Sequence, residues 1–136
     1  MTVVDASVVL KWLLAEPSEE AEQLLETHLN GSDQLVAPEL LYYEIGNVLV
    51  TKTRLSGQET SDLFGYFLDL QIEAYSLGAD EYKTTIDLAH RYKLSVYDAA
   101  YLGLAIALDI RLVSADRRFK GSRTDGDSSR VRRMDS

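Results

Sequence analysis

A chain of 136 residues is one domain's worth and long enough to bury a core without staples, which excludes a modular protein. Hydrophobic residues at 46% and charged residues at 26% exclude a disordered or fibrous chain, and the absence of cysteine excludes disulfides, thiolate nucleophiles and thiolate metal sites. The net charge of −8, taken whole, speaks against a nucleic-acid partner, because phosphate binding normally needs a basic field.

The opening residues, MTVVDASVVLKWLL, lack a basic leader and carry Asp5 and Lys11 inside an apolar stretch, so they read as neither a signal peptide nor a membrane span. The longest other uncharged apolar run, Ala99 to Leu108, is about half of what a bilayer crossing needs. A cytoplasmic protein with no membrane partner is expected. Charge is uneven along the chain: residues 117–136 hold seven basic and three acidic side chains, a balance of +4, while residues 1–116 hold seven and nineteen, a balance of −12. The last sixteen residues, rich in Ser, Gly, Asp and Arg, cannot bury enough apolar surface to order themselves. The expected division is a folded domain over residues 1–120 and a basic, disordered tail over 121–136.

In chain order, Thr2 to Val4 reads as a short buried strand and Ala6 to Leu14 as a helix. Pro17 and Ser18 open a second helix, SEEAEQLLETHL, whose acidic first turn suits the helix dipole. Gln34 to Ala37 is a second strand, Pro38 starts a helix reaching about Arg54, and Gly57 to Leu70 is helical again with Leu63, Phe64, Phe67 and Leu68 on one side. Ile72 to Ser76 is a third strand, Ala79 to Tyr92 and Tyr97 to Leu108 are helices, and Arg111 to Ser114 is a last strand ending near Asp116. Strands separated by helical crossovers predict an α/β fold of three layers, a central parallel sheet of four or five strands with helices on both faces.

Ligands of such sheets sit beyond the carboxyl ends of the strands, where strand order reverses. Asp5 follows the first strand and Asp116 the last, so two carboxylates converge on one edge; each also reads as a helix N-cap. Glu44 lies roughly 40° from both Leu40 and Val48 on its helix, on the flank of an apolar stripe. A carboxylate entering an apolar interface needs a cation or donors: Asn47, one turn on, would supply donors in a structural pair, and a metal is the sharper alternative. Asp98 closes Ser95-Val96-Tyr97-Asp98, the spacing of a capping box, which places its carboxylate in a first helical turn where it stays ionised. Four crowded acids point to a hard divalent cation, Mg²⁺ or Mn²⁺, and to phosphoryl chemistry, a hydrolysis in which an activated water attacks phosphorus.

The segments VVDASVVLKWLLAEP, APELLYYEIGNVL, LSVYDAAYLGLA and LVSADRRF together, in this order over residues 2 to about 120, resemble the PIN-domain ribonucleases, specifically the VapC-type toxins of toxin–antitoxin pairs. The resemblance implies a Mg²⁺- or Mn²⁺-dependent endoribonuclease, an RNA substrate, a cognate antitoxin partner and a homodimer. Carried over residue by residue, the acidic catalytic and metal-binding set falls on Asp5, Glu44, Asp98 and Asp116, with hydroxyl support from Ser7 and Ser114. Arg117, Arg118 and Lys120 adjoin Asp116 and are candidates for substrate phosphates. Trp12 and the tyrosines at helical spacing, Tyr42, Tyr43, Tyr97 and Tyr101, read as packing rather than base stacking, and His28 and His90 lie outside the four segments and receive no general-base role.

Two other classes share these residues. A phosphatase or phosphoacceptor domain also puts an Asp after the first strand, but one type expects a second Asp where Ser7 stands and the other a Lys where Asp116 stands. A catalytically silent interaction module would use the same fold without cleavage. The net charge does not oppose the nuclease reading once cations are bound among the acids, since they invert the local field.

Overall fold

The computed structural model describes residues 1–16, 18–116 and 131–133. The three residues of β1 (Thr2–Val4) are all buried, and α1 (Ala6–Leu13) starts at once because the Asp5 carboxylate accepts from the amides of Ser7 and Val8, satisfying two donors that the first helical turn leaves open. Ser18 caps α2 (Glu19–Leu29) by accepting from the Ala21 amide. Then come β2 (Leu35–Pro38), α3 (Leu40–Thr51), α4 (Gly57–Asp69), β3 (Glu73–Tyr75), α5 (Ala79–Tyr92), α6 (Val96–Leu108), β4 (Leu112–Ser114) and β5 (Val131–Arg133). Ser56 and Glu59 form a complete capping box at the start of α4, a signal visible as SGQE in the sequence.

All five strands are parallel, in the order β3-β2-β1-β4-β5. The chain moves outward from β1 to β3 and then jumps back across the sheet to β4. With right-handed crossovers, α1 to α4 therefore cover one face and α5 and α6 the other. The packing agrees: α1 rests on α2 and α3, and α3 on α4, whereas α6 packs on α5 and on β1, β2 and β4. Every residue of α6 from Asp98 to Ala105 is buried, as expected of a helix that is apolar nearly all round. The core joins Val3, Val4, Leu35, Val36, Leu112 and Val113 of the sheet to Val8, Leu41, Ile45 and Leu49 on one side and Leu102, Leu104 and Ala105 on the other.

Beyond shifts of a residue at element ends, the structure departs from expectation in three places. Pro38 ends a strand rather than opening a helix, because β2 and β3 stay paired to Pro38 and Tyr75. Helix α3 stops at Thr51 rather than near Arg54, where the hydroxyls of Thr51 and Thr53 donate to the carbonyls of Asn47 and Leu49 and compete with the helical ladder. The segment read as a disordered tail contributes β5, whose Val131–Arg133 pair with Leu112–Ser114; β4 would otherwise present an edge of unpaired backbone groups. Among the described residues no helix is long and apolar enough to cross a membrane.

Candidate active site

The strand order reverses between β1 and β4, the point at which open parallel sheets bind ligands. Asp5 leaves the carboxyl end of β1 and Asp116 follows Ser114, the last residue of β4. Helix α3 begins two residues after β2 ends, so Glu44 stands one turn in from the same edge. Helix α6 finishes at Leu108, four residues before β4 starts at the opposite edge; with 1.5 Å of rise per residue, its first turn and Asp98 return to the carboxyl edge.

Asp5 is only 6% exposed. Its Oδ1 accepts from the Ser7 amide at 3.1 Å, from the Ser7 hydroxyl and from the Val8 amide at 3.4 Å, and its Oδ2 accepts from the Ser114 hydroxyl. The same hydroxyls receive the next strand end: Ser7 Oγ accepts from the Ala115 amide at 2.8 Å and Ser114 Oγ from the Asp116 amide at 2.9 Å. Ser7 and Ser114 therefore bridge Asp5 to the backbone of Ala115 and Asp116 respectively. Burial pushes the Asp5 carboxyl up to about 6, the hydrogen bonds from the Ser114 and Ser7 hydroxyls and the Val8 amide pull the other way, and the charge of Asp116 adds to the rise. Among the described residues, neutral groups alone answer the Asp5 charge.

Glu44 is half-buried, and Tyr101 of α6 donates its hydroxyl to Glu44 Oε1 at 2.5 Å. Asn47, expected to supply donors there, is exposed, since at three residues' spacing it turns outward from the stripe, and Tyr101 brings its donor from the opposite layer. The Tyr101 phenol holds its proton far above the usual tyrosine range, first through burial, then through Glu44, and further through Asp5 and Asp98. Three carboxylates thus act on one hydroxyl.

Asp98 is 9% exposed. Its amide donates to Ser95 Oγ at 3.0 Å, the side-chain cap expected of the Ser95–Asp98 spacing. Among the described residues, no three acids or histidines stand close enough to hold one ion between them. The edge is acidic and oxygen-rich, with its carboxylates spaced by hydroxyls. Arg117, Arg118 and Lys120 lie outside the described residues.

Reading Tyr101 as packing missed its hydroxyl, although the signal was present: Asp98 and Tyr101 are three residues apart and share a helix face. His28 has a structural task. Its Nδ1 accepts from the Leu35 amide at 3.1 Å and its Nε2 lies 2.6 Å from the Leu70 carbonyl, which assigns the Nε2–H tautomer and ties α2 to the start of β2 and the end of α4. Trp12 donates from Nε1 to the Ala21 carbonyl at 2.7 Å, and Tyr42 packs on Phe67 with ring centres 4.9 Å apart, both as packing residues.

Residues 2–122 match the PIN domain family. Ribonuclease VapC3 of Pyrobaculum aerophilum is 32% identical over 123 residues, covering 85% of this chain and 89% of that protein. Among solved structures, VapBC2 from Rickettsia felis bound to a DNA fragment from its promoter is similar with a TM-score of 0.73 at 14% identity, over 98% of both chains. A toxin–antitoxin complex from Klebsiella pneumoniae is similar with a TM-score of 0.64 at 19% identity, over 89% of this chain and 92% of that one. The switch-point edge, its four acids and these matches agree: the chain belongs to the PIN-domain family.

Proposed function

We propose that this protein is a Mg²⁺- or Mn²⁺-dependent endoribonuclease, the toxin of a toxin–antitoxin pair restrained by a cognate antitoxin. Its relative VapC3 is named a ribonuclease, and the similar structure from Klebsiella pneumoniae is a toxin–antitoxin complex. The observation that carries the reading is Asp5, a buried carboxylate answered by neutral donors and facing the charge of Asp116. Such a group costs stability by itself, and a hard cation is the partner that its oxygen surroundings suit.

Asp5, Glu44, Asp98 and Asp116 would hold the ion, no more than two of them directly and the others through its waters. Mg²⁺ keeps several waters and takes few carboxylates directly, so the spacing of these acids is compatible with it. A bound cation supplies charge for the phosphoryl oxygens and lowers the pKa of a water. Ser7 and Ser114 keep the Asp5 oxygens oriented, and a carboxylate not engaged with the ion takes the proton of the attacking water. Arg117, Arg118 and Lys120 are proposed to meet substrate phosphates at the rim. A homodimer belongs to the same reading, with the apolar cleft lined by Leu40, Tyr75, Leu77, Tyr82, Val96 and Tyr97 as surface available to a second copy.

The test is cleavage of RNA by purified protein with Mg²⁺ or Mn²⁺. Asp5→Asn and Asp98→Asn should abolish cleavage without unfolding the chain, and expression of wild type alone should arrest growth. Cleavage that persists in EDTA, or in either variant, refutes the metal mechanism.

A further inference from the structure

Tyr101 is 1% exposed in the middle of the fully buried stretch of α6. Packing alone at that position needs a ring and no hydroxyl, since a buried hydroxyl must find a partner or cost free energy. The partner it takes is a carboxylate on the other side of the sheet, Glu44 Oε1, at 2.5 Å. The bond links α6 to α3 around the carboxyl edge, and Asp98, three residues earlier, sits on the same face of α6. One helix thus presents an acid of the edge and the donor that holds another.

We infer that Tyr101 is a positioning residue: its hydroxyl fixes the Glu44 carboxylate in the orientation in which it serves the cation site. This inference rests on the proposed reading of Glu44 as a metal ligand. A neutral O–H suits the task better than a Lys or Arg in its place, because it orients a carboxylate without neutralising it. Charge-assisted hydrogen bonds of this kind are directional as well as strong.

The experiment is Mn²⁺ binding by calorimetry on the full chain, for wild type, Tyr101→Phe, Glu44→Gln and the double variant. Tyr101→Phe keeps the ring and should weaken Mn²⁺ about tenfold, the scale of one lost hydrogen bond to a charged group. Glu44→Gln should weaken it at least as much, and the double variant should bind as Glu44→Gln does. If Glu44→Gln binds Mn²⁺ like wild type, Glu44 is not a ligand and both readings fall. If Glu44→Gln is weakened and Tyr101→Phe is not, the inference alone is overturned. A further loss on adding Tyr101→Phe to Glu44→Gln also overturns it, since Tyr101 would then act other than through Glu44. Should Tyr101→Phe melt early, the double variant should regain the melting temperature, because an amide tolerates loss of the donor better than a carboxylate; a double variant that melts as early counts against the inference.

Discussion

Ser114 donates its hydroxyl to Asp5 from the neighbouring strand, and accepts the Asp116 amide with the same oxygen. One buried hydroxyl therefore couples the ends of β1 and β4. Ser114→Ala removes this donor and leaves the Asp5 carboxylate one bond short in a buried place, which costs roughly 1–3 kcal/mol. The expected result is a lower urea midpoint together with RNA cleavage reduced about tenfold or more, whereas Ser114→Thr, which keeps the hydroxyl, should recover part of the cleavage. Equal losses in the alanine and threonine variants would argue that volume, not the hydrogen bond, matters at this position.

Asp5 also sets a pH dependence. Its carboxyl titrates near 6 in the fold against an ordinary value of 3.8, so the folded state binds the proton more tightly than the unfolded chain between these values. Stability from the protonated form is present below pH 4 and lost as pH rises toward 6, an amount of about 3 kcal/mol for a gap of this size. Urea melts in EDTA from pH 4 to 7.5 should show this slope in wild type relative to Asp5→Asn. A difference between the two proteins that stays constant across the range is the contrary outcome.

Cation binding should run the other way. Ligating carboxylates must be ionised, so Mn²⁺ should raise the melting temperature at pH 7.5 and have little effect at pH 5. At a concentration one hundred times the dissociation constant the gain is about 2.7 kcal/mol. EDTA should reverse it and Asp98→Asn should abolish it. A shift of the same size in Asp98→Asn would remove that residue from the cation site.

His28 separates stability from function. Its ring joins the Leu35 amide to the Leu70 carbonyl far from the acidic edge, so His28→Ala should lower stability by about 2–4 kcal/mol through two lost hydrogen bonds and their unmet backbone partners. Mn²⁺ affinity measured well below the melting temperature should be unchanged. A large drop in that affinity would show that the clamp reaches the site.

Much of the site was legible in the sequence because its acids occupy positions with local signatures. Asp5 and Asp116 follow strands, Asp98 opens a helix, and helical geometry alone turns Glu44 toward the apolar stripe. What local rules do not carry is the partner across layers. Asn47 is the nearest donor along the chain, yet Tyr101, 57 positions from Glu44, makes the bond, since α6 crosses to the far face and returns its first turn to the edge. The same limit explains β5: Val131-Arg132-Arg133 has neither alternation nor an apolar run, and its pairing depends on the open side of β4. Pro38 was misplaced for a related reason, as its strand register is set by Tyr75 and not by its neighbours in sequence.

The central place of β1 has a consequence for synthesis. Asp5 is made 109 positions before the hydroxyl that clamps it. A growing chain carries the first acid throughout translation but has no acidic edge until β4 docks beside β1. Whatever the four carboxylates do is therefore withheld from every fragment that stops short of β4, and begins only once Ser114 has reached Asp5.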